Sequence, residues 1–179
     1  MIDNVNKPLF ELRGQTVNKW GKDQTGLITY KLNNQGFRSS VDYTWLPDFA
    51  FFGASTVFGI GVPEDKTMVS YFPNAHNYGL AGNYLNRDSI VNLKNFITST
   101  NYHNTKIIFF WVDRPGQEDI SELIKEVEKF NINIKHISQG KKYPNAINLM
   151  PQIDSDVSSS HPGVKTHMIW AKTIKLMFK

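Results

Sequence analysis

The sequence contains no cysteine among its 179 residues, which excludes disulfides, thiolate metal ligation and a cysteine nucleophile. No run approaches the roughly 18 apolar residues of a membrane span, and the opening residues MIDNVNKPLFELRG are too polar for a secretory signal. The expectation is a protein that is cytoplasmic or otherwise soluble without a cleaved signal peptide, with no membrane partner. Internal repeats and linker-like stretches are also missing. One domain over residues 1–179 is therefore expected, with residues 1–45 as an N-terminal extension packed on it; a chain of this length buries roughly two thirds of its extended surface. The 20 Lys and Arg residues outnumber the 16 Asp and Glu and give a net charge of +4. The lysines are scattered through helical stretches and the carboxyl terminus instead of gathering with aromatics, which reads as a solvated face and not as a nucleic-acid footprint. Oligomeric state leaves no mark.

What is present centres on residues 51–62, FFGASTVFGIGV. An apolar run turns through Gly53-Ala54-Ser55 and meets two further glycines, Gly59 and Gly61, so a buried strand entering a sharp turn is predicted. Ser55 then lies at the carboxyl end of a strand, where open α/β sheets place their ligands. Before it, Leu27 to Leu32 alternates loosely and the turn signal Asn33-Asn34-Gln35-Gly36 suggests a hairpin or an irregular extension. Arg38 reads better as an anchor donating to carbonyls than as an anion site. Phe49 to Phe52 is the first core strand.

After this stretch, Pro63-Glu64-Asp65 resembles a helix start, with a short helix to about Phe72. Ala75 to Gly79 is a short strand, followed by Gly79 and Gly82 in a loop whose backbone must approach something closely. Ile90, Leu93 and Ile97 place a helix over 86–99. Lys106 to Val112, KIIFFWV, is a continuous apolar run typical of a central strand covered on both faces. A second helix carries Ile120, Leu123, Ile124, Val127 and Phe130 on one side. Ile132 to Ile137 is a strand, Gly140 to Asn145 a lysine-bearing loop, Ala146 to Met150 a last short strand, and Lys165 to Met177 a last helix. Strands alternating with helices predict an α/β fold with a parallel sheet between helix layers.

Four separated pieces then fall on one sheet edge: Gly53-Ala54-Ser55, the loop through Gly82, the polar residue after Val112, and His161 before the last helix. An acyl-transfer site needs these parts, namely a hydroxyl nucleophile, a base and oxyanion donors.

These motifs resemble the SGNH (GDSL-like) hydrolases, three-layer α/β/α flavodoxin-like esterases, lipases and carbohydrate deacetylases; the resemblance covers roughly residues 36–174. It implies Ser55 in GASTVFGIGV as nucleophile and, through its amide, as oxyanion donor. It implies Gly82 in NYGLAGN as the second donor and His161 in HPGVKTH as general base, with His167 as a non-catalytic second histidine. Asp113 stands where the family has an asparagine oxyanion donor, and Ser158 where it has the aspartate that orients the base. An ionised carboxylate can only accept hydrogen bonds. Asp156 is the substitute for orienting His161, Asp154 a second, and a backbone carbonyl holding the ring of a Ser-His dyad a third. The implied activity is hydrolysis of a small ester, an acyl or acetyl group carried by a small molecule or a carbohydrate, without cofactor or metal. The alternative is a catalytically impaired domain of this fold that binds a glycan or acylated ligand without turnover.

Structural readings stand beside these. Ser55 in a glycine turn can be structural, His161 can cap the last helix, Asp113 can pair with Arg114, and Phe110 and Trp111 read as core. His76, His103 and His136 show no metal-ligand spacing. Nucleotide binding is disfavoured, because the loop lacks a Lys-Ser/Thr ending and Val62-Pro63 follows Gly61 where a dinucleotide fingerprint needs glycine.

Overall fold

The computed structural model describes residues 16–17, 22–23, 26–81, 86–112, 118–139, 143–155 and 161–179. Four two-residue strands come first, β1 (Thr16–Val17), β2 (Lys22–Asp23), β3 (Gly26–Leu27) and β4 (Tyr30–Lys31), paired antiparallel as β1 with β4 and β2 with β3. The turn at 33–36 follows. Asn33 Oδ1 accepts the amides of Gln35 and Phe37, Gly36 takes a left-handed φ of 88°, and Leu32 bridges antiparallel to Arg38.

A five-stranded parallel sheet occupies the centre, as the alternation of strands and helices predicts. Its strands are β5 (Phe49–Gly53), β6 (Ala75–Gly79), β7 (Lys106–Trp111), β8 (Ile134–Gln139) and β9 (Ala146–Leu149), in the order β6-β5-β7-β8-β9. The helices are α1 (Ser55–Phe58), α2 (Asn86–Ser99), α3 (Ile120–Glu128) and α4 (Val164–Leu176).

Side chains alternate across a strand, and this divides the core in two. Ala50, Phe52, Ile107, Phe109 and Trp111 pack with Ile90, Leu93 and Phe96 of α2 and with the apolar face of α3. Phe51, Ile108, Phe110 and Ile137 pack on the other side with Val57 of α1 and Trp170, Ala171 and Ile174 of α4. Helices thus cover both faces, which explains why β7 is apolar from Ile107 to Trp111 without interruption. A third cluster joins Ile28, Tyr30 and Leu32 to Phe58, Ile60, Leu80 and Ala81. The segment before the sheet is therefore packed directly on the chain leaving β5 and β6.

The outer edge of β6 is also covered. Tyr43 Oη accepts the Asn77 amide at 2.8 Å and lies 3.3 Å from the Asn77 carbonyl, while its ring stacks on His76 at 3.8 Å.

One predicted element differs. Instead of a single helix to Phe72 there are two 3-10 turns, Glu64–Lys66 and Val69–Tyr71. Thr67 between them is extended, its hydroxyl donates to Glu64 O and accepts from the Ser70 amide, and the Met68 amide is drawn to His167 Nδ1 at 3.0 Å. These bonds compete with a helical ladder. Among the described residues no helix is long and apolar enough to cross a membrane.

Candidate active site

The site starts from the geometry of β5. Its neighbours are β6 on one side and β7 on the other, and α1 and α2 lie on opposite faces. Consecutive crossovers that diverge in this way open a crevice at the carboxyl ends of the strands, and Ser55 follows β5 by two residues.

Glycine permits the approach of α1 to the sheet. A Cβ on Gly79 would stand 2.2 Å from the Phe58 nitrogen and 2.7 Å from the Val57 carbonyl carbon, and one on Gly53, whose φ is +156°, would stand 2.9 Å from the Phe110 carbonyl oxygen. Gly53 and Gly79 are register partners, so the two bare positions face α1 together. Ser55 is thereby held at the start of a one-turn helix, 2% exposed. Its amide belongs to the first turn, whose N–H groups a helix does not satisfy from within.

His161 reaches this serine from the far end of the chain. Its Nε2 lies 2.9 Å from Ser55 Oγ, a hydrogen-bond distance. The loop carrying it is closed at its base by the antiparallel bridge of Ser155 to Pro162 and by a knot of bonds on the first turn of α4. Asp154 Oδ2 accepts the Lys165 amide at 2.9 Å, and Oδ1 accepts the Thr166 amide at 2.7 Å together with a short bond from the Thr166 hydroxyl. The same hydroxyl accepts the amides of Ile153 and Asp154, and the Asp154 carbonyl accepts the Gly163 amide. Burial pushes the Asp154 carboxyl up, but the hydrogen bonds from Thr166 and Lys165 outweigh it and hold the group below its ordinary value. Asp154, the second candidate for orienting His161, is therefore committed to capping α4 instead.

Other residues fall as follows. Gly82, Asp113, Asp156 and Ser158 lie outside the described residues. The strand before Asp113 is fixed by Asn86, whose Oδ1 accepts the Val112 amide at 3.1 Å and whose Nδ2 donates to the Val112 carbonyl at 2.9 Å. The chain before Gly82 is fixed by the Leu80 amide donating to Gly53 O. His167 is fully buried and accepts from the Met68 amide through Nδ1, a packing role. Phe110 and Trp111 are core, each 1% exposed, and Trp111 Nε1 donates to His136 Nδ1.

Sequence reasoning missed Thr166 and Asn86. Thr166 sits inside HPGVKTH, where threonine within a predicted first helical turn is the available signal; an asparagine at the start of α2 is a weaker one.

Chemically, a buried hydroxyl within hydrogen-bond distance of an imidazole nitrogen is an arrangement able to pass a proton between the two groups. No family model matches this sequence, and neither curated proteins nor solved structures show a similarity to it.

Proposed function

We propose that this chain is a serine hydrolase of the SGNH type that cleaves a small ester, an acyl or acetyl group on a small molecule or a carbohydrate. The observation that carries the reading is the 2.9 Å contact between Ser55 Oγ and His161 Nε2, made by residues 106 positions apart in the sequence. The sheet order β6-β5-β7-β8-β9 supports it, because counted from the first sheet strand it reads 2-1-3-4-5, the order expected of a flavodoxin-like sheet, whose switch point is a site for ligands.

The chemistry follows from the two groups. His161 Nε2 takes the hydroxyl proton as Ser55 Oγ attacks the ester carbonyl, giving a tetrahedral oxyanion that the Ser55 amide stabilises, with the Gly82 amide as the second donor. Collapse breaks the carbon–oxygen bond to the alcohol, which leaves with the proton from the imidazolium. Water, deprotonated by His161, then attacks the acyl-enzyme and releases the acid and the free serine.

A fluorophosphonate probe tests the reading. The wild-type protein is expected to label once, Ser55→Ala not at all, and His161→Ala on the order of 100-fold or more slowly. Well-folded wild type that takes no label would instead support ligand binding without turnover.

A further inference from the structure

Arg38 is among the largest fully buried side chains, 2% exposed, and among the described residues no carboxylate forms an ion pair with it. Its Nη1 donates to Phe58 O at 2.8 Å and to Gly59 O, and its Nη2 donates to Val62 O. The guanidinium also lies over the rings of Tyr30 and Phe58, 4.7 and 5.4 Å from their centroids. Burial brings its pKa down to about 10, against the partly restoring charges of Tyr30 and Glu64, so it stays a cation.

The three carbonyls are not an arbitrary set. Phe58 is the last residue of α1, Gly59 is its left-handed cap at φ 84°, and the Gly59 amide donates to Ser55 O. A helix leaves its last carbonyls unpaired, and in a buried place such groups are costly unless something donates to them. At 1.5 Å per residue α1 is about 6 Å long, far below the length at which a helix sustains itself. The orientation of Ser55 therefore depends on tertiary contacts at the other end of the turn. One contact comes from β6, where Asn77 Nδ2 donates to Val57 O at 2.9 Å; the others come from the segment before the sheet, with Arg38 on the carbonyls and the Tyr30 hydroxyl accepting the Gly61 amide at 2.8 Å.

We infer that Arg38 is a positioning residue for Ser55, clamping the carbonyls of Phe58, Gly59 and Val62 so that the nucleophile turn is held at His161 from outside the sheet. This rests on the hydrolase reading for its catalytic consequence but not for the clamp itself. The planar guanidinium is suited to the task because its donors are fixed in a fork that spans several acceptors. Lysine offers one charge on a flexible stem and cannot reproduce the three-carbonyl grip.

Two measurements on the full chain test it, comparing wild type with Arg38→Met and Arg38→Lys. In hydrogen exchange, amides of 54–62 are expected to exchange at least about tenfold faster in both variants, while those of 106–111 in β7 stay protected, because the opening is local. In fluorophosphonate labelling, the maximal inactivation rate is expected to fall by about 10- to 100-fold with the probe's half-saturating concentration unchanged, the signature of a misplaced nucleophile and not of lost binding. Unchanged exchange at 54–62 overturns the clamp. Equal acceleration across the whole sheet overturns it as well, since that is loss of stability alone. Faster exchange with unaltered labelling overturns the catalytic consequence. If Arg38→Met does not fold, Arg38→Lys, which keeps the buried charge, carries both measurements. Absence of label on wild type overturns the hydrolase reading, and exchange then decides the clamp by itself.

Discussion

His161 precedes α4 and His167 lies within it, and the two meet opposite environments. His161 is half-buried and in contact with Ser55 Oγ. His167 is fully enclosed, accepts the Met68 amide through Nδ1, and has its pKa pushed down to about 3, chiefly by burial and then by the charge of Arg38, with Asp154 opposing and His161 adding slightly. Unfolded, the same ring titrates near 6.5. Because the folded value is depressed, the stability it supports is complete above about pH 6.5 and is lost as pH falls toward about 3, at ~1.4 kcal/mol per pH unit in that window. His167→Asn keeps an acceptor for the Met68 amide but cannot titrate. Its unfolding free energy, measured in urea between pH 4 and 6, should fall less steeply than that of wild type by about one proton; equal slopes would assign the acid sensitivity to other groups. At this scale the pairing of Ser55 with His161 was legible because glycine turns and HPGVKTH occur in a recognisable order. The enclosure of His167 was not, since burial depends on what α4 packs against.

The elements that carry the site are held from outside themselves. α1 fits only because Gly53 and Gly79 lack side chains where it touches the sheet, and Asp154 and Thr166 are tied together at the first turn of α4, which His161 precedes by three residues. Thr166→Val removes the hydroxyl that binds Asp154 and accepts two amides. It should cost about 1 kcal/mol or somewhat more, as losing a helix cap does, and, if the proposed hydrolase reading holds, should lower turnover further than that loss of stability explains, because His161 is displaced. Thermal unfolding and hydrolysis of p-nitrophenyl acetate below the melting range separate the two effects; full turnover in a destabilised Thr166→Val would show that the knot does not set the base. The sequence reading located β5 to β9 and α2 to α4 from apolar runs, turn signals and, for α2 and α3, helical spacing. It overextended the helix after Pro63, because the diversion of the Met68 amide to a histidine far along the chain is invisible locally.

Across the whole molecule, the strand–helix alternation specified a parallel sheet with two helix layers, whereas the order of strands and the packing of the first segment needed the folded chain. Ile28, Tyr30 and Leu32 read as a loose alternation until Phe58, Ile60, Leu80 and Ala81 are seen against them. Arg38 read correctly as a carbonyl anchor, but the identity of those carbonyls was legible only in three dimensions. An edge strand of a sheet is a template for pairing with another chain, and Tyr43 occupies that template on β6 by capping the outward backbone of Asn77 with a single hydroxyl. Tyr43→Phe should keep the fold and yet, in light scattering during incubation at elevated concentration, form intermolecular aggregates sooner than wild type. Equal lag times would mean that stacking on His76, and not the hydroxyl, guards the strand. A strand arriving at this edge would have to displace the phenol from the Asn77 backbone before it could pair there.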